Sequence, residues 1–372
     1  MSAGGPQIQR TLAMVHVAMF DAMNAIDPQY APYLTLPAPP VGTNAQAAAA
    51  AAGYGVLVRL MPGEQATLSA GLARSLADTS AGPGQQYGMA YGDLVARTIY
   101  EARRADNILS RGAPVSFGSA PGDYQPTDPE SGDPMNVNAL TWKPFALQSA
   151  SQFRPGPPPS LTSQGYARDF EEVKRQGGMT SARTRDQEEL ARWHVEPGVV
   201  QLNRIARTEA AADGRSVLAH AWAFAVLNLA IADATTSVFE AKYTYRFWRP
   251  VTAIRHADTD ANMETRQDLV WSPFLATPPH PEYPSAHAAV QSAGARVLSA
   301  YFGRFHPFRA TSSTVPGAVR SYKDFGAFAE EGKLARVLGG MHFRTSVEQG
   351  GELGTNVANW VLEHDLLPVS RR

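Results

Sequence analysis

Two long alanine-rich stretches constrain the fold of this chain more than any other feature. Residues 7–26 are apolar nearly all round, which is the pattern of a helix buried on every side, and a second long helix is predicted over about 213–242. Within them, residues 12–26 and 224–238 resemble each other at a constant offset of 212 residues, which pairs Asp21 with Asp233. A repeat at about half the chain length predicts two similar helical bundles stacked together, although two alanine-rich helices can also match through composition alone.

The rest of the chain is also predominantly helical in pattern, and β-branched alternation is almost absent. The sequence therefore predicts an all-α fold of two stacked helical bundles. Residues 109–160 are rich in Pro, Gly and Ser without a sustained period, which is typical of a domain connection. We expect an N-terminal bundle with this connection over 1–160 and a C-terminal bundle over 161–372. Further helices are predicted near 44–60, 64–79, 85–108, 163–176, 183–194 and 200–212, and after Ser285.

Charge and composition exclude several classes of protein. The formal net charge of the 372 residues is -1, which gives no sign of a nucleic-acid partner. No run of about 18 apolar residues predicts a membrane span. With no cysteine, disulfides and thiolate chemistry are excluded. The N-terminus lacks the pattern of a leader, so we expect a soluble protein, cytoplasmic unless a leader was removed, and otherwise secreted or periplasmic.

The stretch from Lys242 to Pro250 concentrates three cations in eight residues. Lys242 and Arg249 are seven residues apart, about two helical turns, so both would project from one face if the stretch is helical up to Pro250. A converging Lys and Arg suit a tetrahedral oxyanion. The alternative is a solvated basic helix end. Arg246 lies between the other two cations and is expected to be structural.

A second segment, Pro284-Ser285-Ala286-His287, directly precedes a clear helix. Ser285 is a natural N-cap, and it would leave the N–H groups of Ala286 and His287 free at a positive helix end. His287 would lie within reach of an anion bound there. Ordinary capping with a chance histidine is the alternative.

The third segment runs from Arg336 to His342 and contains the pair Gly339-Gly340. Residues six apart lie on different faces of a regular helix, so Arg336 and His342 converge only if the glycine pair bends the chain. Together the three segments supply the groups needed to bind a tetrahedral oxyanion and to act on it.

The spacings Lys242-x6-Arg249-Pro250, Pro284-Ser285-x-His287 and Arg336-x5-His342 resemble the three-part signature of the vanadium-dependent haloperoxidases. The phosphatases of the PAP2 superfamily share this signature. The likeness is strongest from about 190 to 365 and weak between 30 and 180. It implies a vanadate cofactor with phosphate as a competing occupant. It also implies hydrogen peroxide, halide and a small organic substrate as partners, and by analogy a homodimer.

The resemblance assigns a role to each residue of the three segments. It makes His342 the vanadium ligand and His287 the acid–base residue, and neutral imidazole suits this class of metal. We expect a bound anion to raise the pKa of His287. Lys242 would also polarise the bound peroxide. The oxygens of the anion would be bound by Lys242, Arg249, Arg336, Ser285 and the N–H of Ala286.

Several positions depart from the family pattern or tune it. Ala286 stands where the family usually has Gly, and Ser346, four residues beyond His342, stands where it usually has Asp. Glu196 occupies the place of an acidic residue that pairs with an active-site arginine, which predicts Arg336 as its partner. His280, seven residues before His287, resembles the bromoperoxidases and favours bromide or iodide over chloride. Trp248 and Tyr283 are candidates for the entrance or for the aromatic core.

Two other functions use the same residues. In a PAP2-type phosphatase His342 would be the nucleophile that forms a phospho-histidine, and His287 would protonate the leaving group. A non-catalytic oxyanion-binding protein is the second alternative, because Ala286 and Ser346 depart from the family pattern.

Overall fold

Helices dominate the residues that this computed structural model describes, which are 5–108, 115–127 and 134–369. The predicted all-α fold is confirmed, with one short antiparallel hairpin that the sequence did not reveal. The hairpin consists of β1 (Phe308–Thr311) and β2 (Val319–Tyr322). The helices are α1 (Gly5–Asn24), α2 (Ala45–Leu60), α3 (Gln65–Ala77), α4 (Pro83–Arg103), α5 (Gln164–Gly177), α6 (Arg185–Trp193), α7 (Gly198–Ala212), α8 (Val217–Tyr245), α9 (Pro250–Arg255), α10 (Ala286–Phe302), α11 (Phe325–Leu338) and α12 (Arg344–His364).

Helix α8 lies at the centre of the fold. It packs against α1, α10 and α12, and nearly every residue from Ala225 to Tyr243 is buried. Its length and hydropathy would also suit a membrane span, but 67% of its most apolar window is covered by the rest of the protein. A buried core helix passes the same test, so the all-round apolar pattern of α8 is explained by packing.

The repeated aspartates of α1 and α8 have the same local task. Asp21 accepts the backbone N–H groups of Tyr33 and Leu34 at 2.8 and 2.9 Å. Asp233 accepts three consecutive N–H groups, from residues 145–147, at 2.6–2.9 Å. Each buried carboxylate therefore fixes a loop that crosses its helix, because buried polar groups need hydrogen-bond partners.

The largest apolar cluster includes residues from both sides of position 160, from Met14 to Leu366. The division into bundles at 1–160 and 161–372 stays a prediction. Within the predicted connection, residues 109–114 and 128–133 lie outside the described residues, as do 1–4 and 370–372 at the ends of the two predicted bundles. The described part of the connection is bonded to the segment that follows α8. Tyr124 N–H donates to Arg246 at 2.7 Å, and Trp248 N–H donates to Gly122 at 2.9 Å.

The stretch from Lys242 to Pro250 is not helical throughout, so that part of the prediction is wrong. Helix α8 ends at Tyr245, and Arg246 takes the left-handed conformation, with φ of 49°. Its N–H still donates to Lys242 O at 2.8 Å, which caps the helix. Pro250 then begins α9, because proline fits the first turn of a helix and lacks the N–H that an interior position requires.

Helices α10 and α12 approach each other closely through glycine. A Cβ added to Gly354 would lie 2.0 Å from the carbonyl oxygen of Ala289, and one added to Gly350 would lie 2.3 Å from that of Ser285. These glycines let α12 lie directly against the first turn of α10. The backbone around Ser285 is thereby held in place, and Ser285 N–H donates to Ser346 O at 3.0 Å.

We predict that Gly354→Ala destabilises the protein by about 1–3 kcal/mol, because the added methyl forces the two helix backbones apart. The matched control is Gly71→Ala on α3, where the nearest atom to an added Cβ is 3.8 Å away. There the substitution should stabilise by up to about 1 kcal/mol through helix propensity. Urea unfolding of both variants measures the difference. Changes of the same sign and size would contradict the close approach of α10 and α12.

Candidate active site

Three cations from the first and third segments meet inside the protein. Lys242 on the last turn of α8 and Arg249 at the start of α9 are fully buried, and Arg336 on α11 is 8% exposed. The turn at Arg246 reverses the chain between the first two, so they converge through a break in the helix and not along one helix face. Arg246 itself donates to Tyr243 O at 3.1 Å.

Lys242 is anchored by backbone carbonyl groups. Its Nζ donates to the oxygens of Pro281 and Glu282, both at 2.8 Å. Burial lowers the pKa of Lys242 well below its usual value, Arg249 lowers it further, and the charge of Glu282 opposes the shift. An ammonium group carries three donors, so one N–H of Lys242 remains for another acceptor.

Arg249 uses its guanidinium to join the loop that precedes the second segment to the third segment. It donates to the oxygens of His280 at 2.9 Å, Met341 at 2.9 Å and Pro278 at 3.2 Å. Its remaining contacts are to imidazole nitrogens, Nε2 of His342 at 3.3 Å and Nδ1 of His280 at 3.0 Å. Burial lowers its pKa to about 10, so the group remains charged at neutral pH.

His342 is held from the side opposite the cations by Glu282, which the sequence interpretation missed. Nδ1 of His342 lies 2.8 Å from Oε1 of Glu282, and both side chains are buried. Ser346 Oγ is 3.4 Å from the same Nδ1. The position of Glu282, three residues before Ser285 and just outside the second segment, was the signal that could have pointed to it.

The bend at Gly339-Gly340 is confirmed. Helix α11 ends at Leu338, and Gly340 adopts φ of 76°, which favours glycine. A Cβ at Gly340 would lie 2.3 Å from Gly177 O, so the position also requires a close backbone approach. The bend places His342 beside Arg249, and Arg336 is close enough to lower the pKa of His342.

The second segment has the predicted cap. Ser285 is buried and precedes α10, and its Oγ accepts the N–H of Ala288 at 3.5 Å. Ala286 and His287 form the first turn, where backbone N–H groups have no partner within the helix. The pKa of His287, which we expected an anion to raise, is lowered well below its usual value in the protein alone by burial and by Arg336.

The prediction that Glu196 pairs with Arg336 is wrong. Glu196 binds Arg204 on α7 through two hydrogen bonds of 2.6 Å, and this pair also contacts the segment after β1. A bidentate pair with a nearer arginine satisfies the carboxylate completely. His194 lies closer to the site, with its ring centre 6.4 Å from that of His287, and its Nε2 contacts Glu331. No separate pattern in the sequence pointed to His194.

The remaining candidates lie on two sides of the site. His280 is half-buried, contacts Arg249, and packs edge-on against Phe239 with ring centres 5.1 Å apart. Trp248 is buried with Phe247 in an aromatic cluster, and it borders a groove on the outer side. Tyr283 belongs to the same cluster, and its hydroxyl donates to Gly156 O at 2.8 Å.

The site has more positive than negative charge. Three buried cations converge, and Glu282 is the carboxylate that acts on both Lys242 and Arg249. Burial and Arg249 lower the pKa of Arg336 to about 9. In the part of the chain that the structure describes, Nε of Arg336 and Nε2 of His287 are buried without hydrogen-bond partners. Unpaired buried charges are costly, so this arrangement fits a bound anion.

The donor set also limits the kind of metal that fits. Among the described residues no group of three or more His, Cys, Asp or Glu side chains could hold a metal ion. The site offers one imidazole surrounded by cations, which suits a metal that enters as an oxyanion with its own oxygens. Phosphate, which has the same shape and charge sign, would fit the same donors.

We predict that orthophosphate stabilises this protein against heat and that Arg336→Ala removes most of the effect. At about 100 times its Kd, a bound ligand adds about 2.7 kcal/mol. Without phosphate, Arg336→Ala should be at least as stable as the natural chain, because a buried unpaired charge has been removed. Differential scanning fluorimetry with increasing phosphate measures both effects.

The matched control for Arg336→Ala is Arg246→Gly. It removes a cation of the same stretch that lies outside the site, and glycine accepts the left-handed conformation. This variant should keep the stabilisation by phosphate. Equal losses in both variants would show that the effect is general charge and not a defined site.

Comparison with known proteins is consistent with this geometry. The VCPO second helical-bundle domain matches residues 222–369, which contain all three segments. A structure of the first bacterial vanadium-dependent iodoperoxidase has a TM-score of 0.83 at 25% identity, covering 100% of this chain and 94% of that chain. No curated protein matches the chain.

Two bacterial vanadium-dependent chloroperoxidase structures, both 19% identical, share the fold. The apo-type has a TM-score of 0.77 and covers 96% of this chain and 92% of that chain. The holo-type has a TM-score of 0.76, with 97% and 92% covered.

Proposed function

We propose that this chain, which belongs to the vanadium haloperoxidase family, binds vanadate and oxidises a halide with hydrogen peroxide. The halide is bromide or iodide in preference to chloride. The product is a hypohalous species that halogenates small organic substrates. The observation that carries the proposal is the excess of buried positive charge around Nε2 of His342.

The residues present fit the cofactor. Vanadate, when bound, supplies a Lewis acid that activates hydrogen peroxide towards a halide without a change in the oxidation state of the metal. His342 would hold it through Nε2, the nitrogen that faces Arg249. The oxygens would be bound by Lys242, Arg249, Arg336, Ser285 and the N–H of Ala286.

The cations contribute in different ways. Lys242 keeps one N–H beyond its two carbonyl contacts, and this donor can polarise a bound oxygen. Arg249 donates an N–H to Nε2 of His342 in the protein alone. When Nε2 becomes a ligand, this N–H must donate to an oxygen of the anion instead. Arg336 has a buried Nε without a partner, and it can bind an oxygen without breaking an existing bond there.

His287 is placed to hold or release a proton at Nε2, which is buried and has no partner among the described residues. Arg336 lowers its pKa, whereas an anion beside the ring acts in the opposite direction. The charge on the site therefore decides whether His287 is protonated. Because the surrounding side chains are buried, bulk water is kept from the reacting atoms.

We predict that the protein retains vanadium after loading with orthovanadate and gel filtration, and that His342→Ala lowers retention by more than about 100-fold, because its single protein ligand is lost. Elemental analysis measures the bound metal. His364→Ala, an exposed histidine on α12, should retain vanadium as the natural chain does. Equal retention by His342→Ala would refute the ligand role.

The same preparation tests the reaction class. Bromide- and iodide-dependent halogenation with peroxide is measured beside phosphate-ester hydrolysis without vanadate. Hydrolysis that vanadate abolishes, with no halogenation, would identify a phosphatase that acts through a phospho-histidine. Tight binding of vanadate or phosphate with neither activity would identify a non-catalytic oxyanion-binding protein.

We predict that kcat/KM for iodide and bromide exceeds that for chloride, and that His280→Phe raises the chloride-to-bromide ratio. Nδ1 of His280 accepts an N–H of Arg249, and phenylalanine would leave that donor to the more distant carbonyl of Pro278. Steady-state rates with each halide measure the ratio. An unchanged ratio would exclude His280 as a residue that tunes halide choice.

A further inference from the structure

Glu282 is bonded to the first and third segments of the candidate active site and lies two residues before the second. Its N–H donates to Phe247 O at 2.9 Å, and its carbonyl accepts Lys242 Nζ at 2.8 Å. Its Oε1 accepts the N–H of Phe343 at 3.0 Å and lies 2.8 Å from Nδ1 of His342. The residue is fully buried and lies three positions before Ser285.

The two contacts of His342 define which of its nitrogens carries the proton. A guanidinium has donors only, so Nε2 of His342, which lies 3.3 Å from Arg249, must present its lone pair. The proton of the neutral ring is then on Nδ1. It points at Oε1 of Glu282, an oxygen that already accepts the N–H of Phe343. Both neighbours therefore favour the form in which Nε2 is free to bind a ligand.

Arg249 cannot keep this role once Nε2 is occupied. An atom bound to Nε2 displaces the N–H of Arg249, which leaves the contact at Nδ1 to orient the ring. Ser346 is a weaker candidate for that contact, because its Oγ is 3.4 Å from Nδ1 and 3.4 Å from Glu282 O. A carboxylate at 2.8 Å both fixes the ring and makes Nε2 more basic.

We infer that Glu282 is a positioning residue for the proposed reaction: it holds His342 with Nδ1 protonated and Nε2 directed at the anion site. The inference rests on the proposed function where it concerns vanadium. The orientation of His342 is equally required if Nε2 attacks phosphorus, because a nucleophile also needs its lone pair free.

Comparing the Kd of vanadate with the Kd of phosphate distinguishes a positioning role of Glu282 from a general structural one. Both anions need the cations, but only vanadate needs a bond from Nε2 of His342 for equilibrium binding. We expect Glu282→Ala to raise the Kd of orthovanadate by about 10–100-fold. The Kd of orthophosphate should rise by much less or should fall, because a negative charge beside the site has been removed. Equilibrium dialysis of the cofactor-free protein against each anion measures both constants.

A second measurement needs no cofactor. In ¹⁵N-histidine-labelled protein, His342 is assigned by the loss of its signals in His342→Ala. The natural chain should show a proton on Nδ1 that exchanges slowly, and none on Nε2. In Glu282→Ala the slow exchange should be lost. A proton on Nε2 in the natural chain would overturn the inference.

A rescue variant makes the test specific. Glu282→Ala combined with Ser346→Asp places a new carboxylate beside the same Nδ1, so it should restore the preference for vanadate over phosphate and the slow exchange. Glu264→Gln, an exposed residue of the same loop, is the control and should change neither quantity. Equal increases in both Kd values without rescue would mean that Glu282 acts through folding alone, which would overturn its positioning role.

Two further outcomes are decided by the same data. If Glu282→Ala does not fold, the isosteric Glu282→Gln replaces it. Its amide oxygen can still accept the N–H of Nδ1, so the slow exchange should be kept. A neutral amide makes Nε2 less basic than a carboxylate does, so the Kd of vanadate should rise. An unchanged Kd in Glu282→Gln would overturn the inference. If the natural chain binds vanadate no better than phosphate, the proposed function fails, and the exchange of the Nδ1 proton alone decides the role of Glu282.

Discussion

Burial of positive charge is the constraint on which the rest of this structure depends. Lys242 and Arg249 are fully buried and Arg336 nearly so, although desolvation of a charged group costs several kcal/mol. Backbone carbonyl groups that point inwards offset part of this cost, and they come from the loop before α10 and from the bend after α11. The irregular segments of the site thus serve as ligands for the cations, which explains why regular helix is interrupted at both places.

The remaining imbalance gives the site its selectivity. One carboxylate, Glu282, faces the cations, and burial raises its pKa to about 7 against the opposing charges of Lys242 and Arg249. A second carboxylate would remove half of the excess positive charge and weaken the attraction of an anion. Glu196, a candidate for the second carboxylate, is instead bound by Arg204 in a bidentate pair, so it does not compensate the charge of Arg336.

The chemistry of the site could be predicted from the sequence more fully than its geometry. Residue types and spacings in three segments, together with the family resemblance that they carry, made Lys242, Arg249 and His342 candidates for binding an oxyanion. The left-handed turn at Arg246 could not be predicted, since no glycine or asparagine marks it and helix propensity continues to Pro250. Glu282 was missed because its partner is 60 residues away, and its position three residues before Ser285 does not show which side chain it contacts. The Glu196–Arg204 pair could have been predicted locally, because Glu196 lies just before α7 and Arg204 is eight residues further on, within that helix. The family resemblance led instead to the prediction of Arg336 as the partner.

Helices α1 and α8 share features that support the fold, but only α8 carries residues of the candidate site. Both helices carry a buried aspartate that fixes a crossing loop, so this feature belongs to the scaffold. Their C-terminal ends differ. Helix α1 ends at Asn24, whose side chain accepts the N–H groups of Gln29 and Tyr30 and closes the helix with neutral partners. Helix α8 instead carries Lys242 in its last turn and reverses at Arg246 towards Arg249. The candidate site therefore arises from the end of one helix in the pair, and the packing that supports it is common to both.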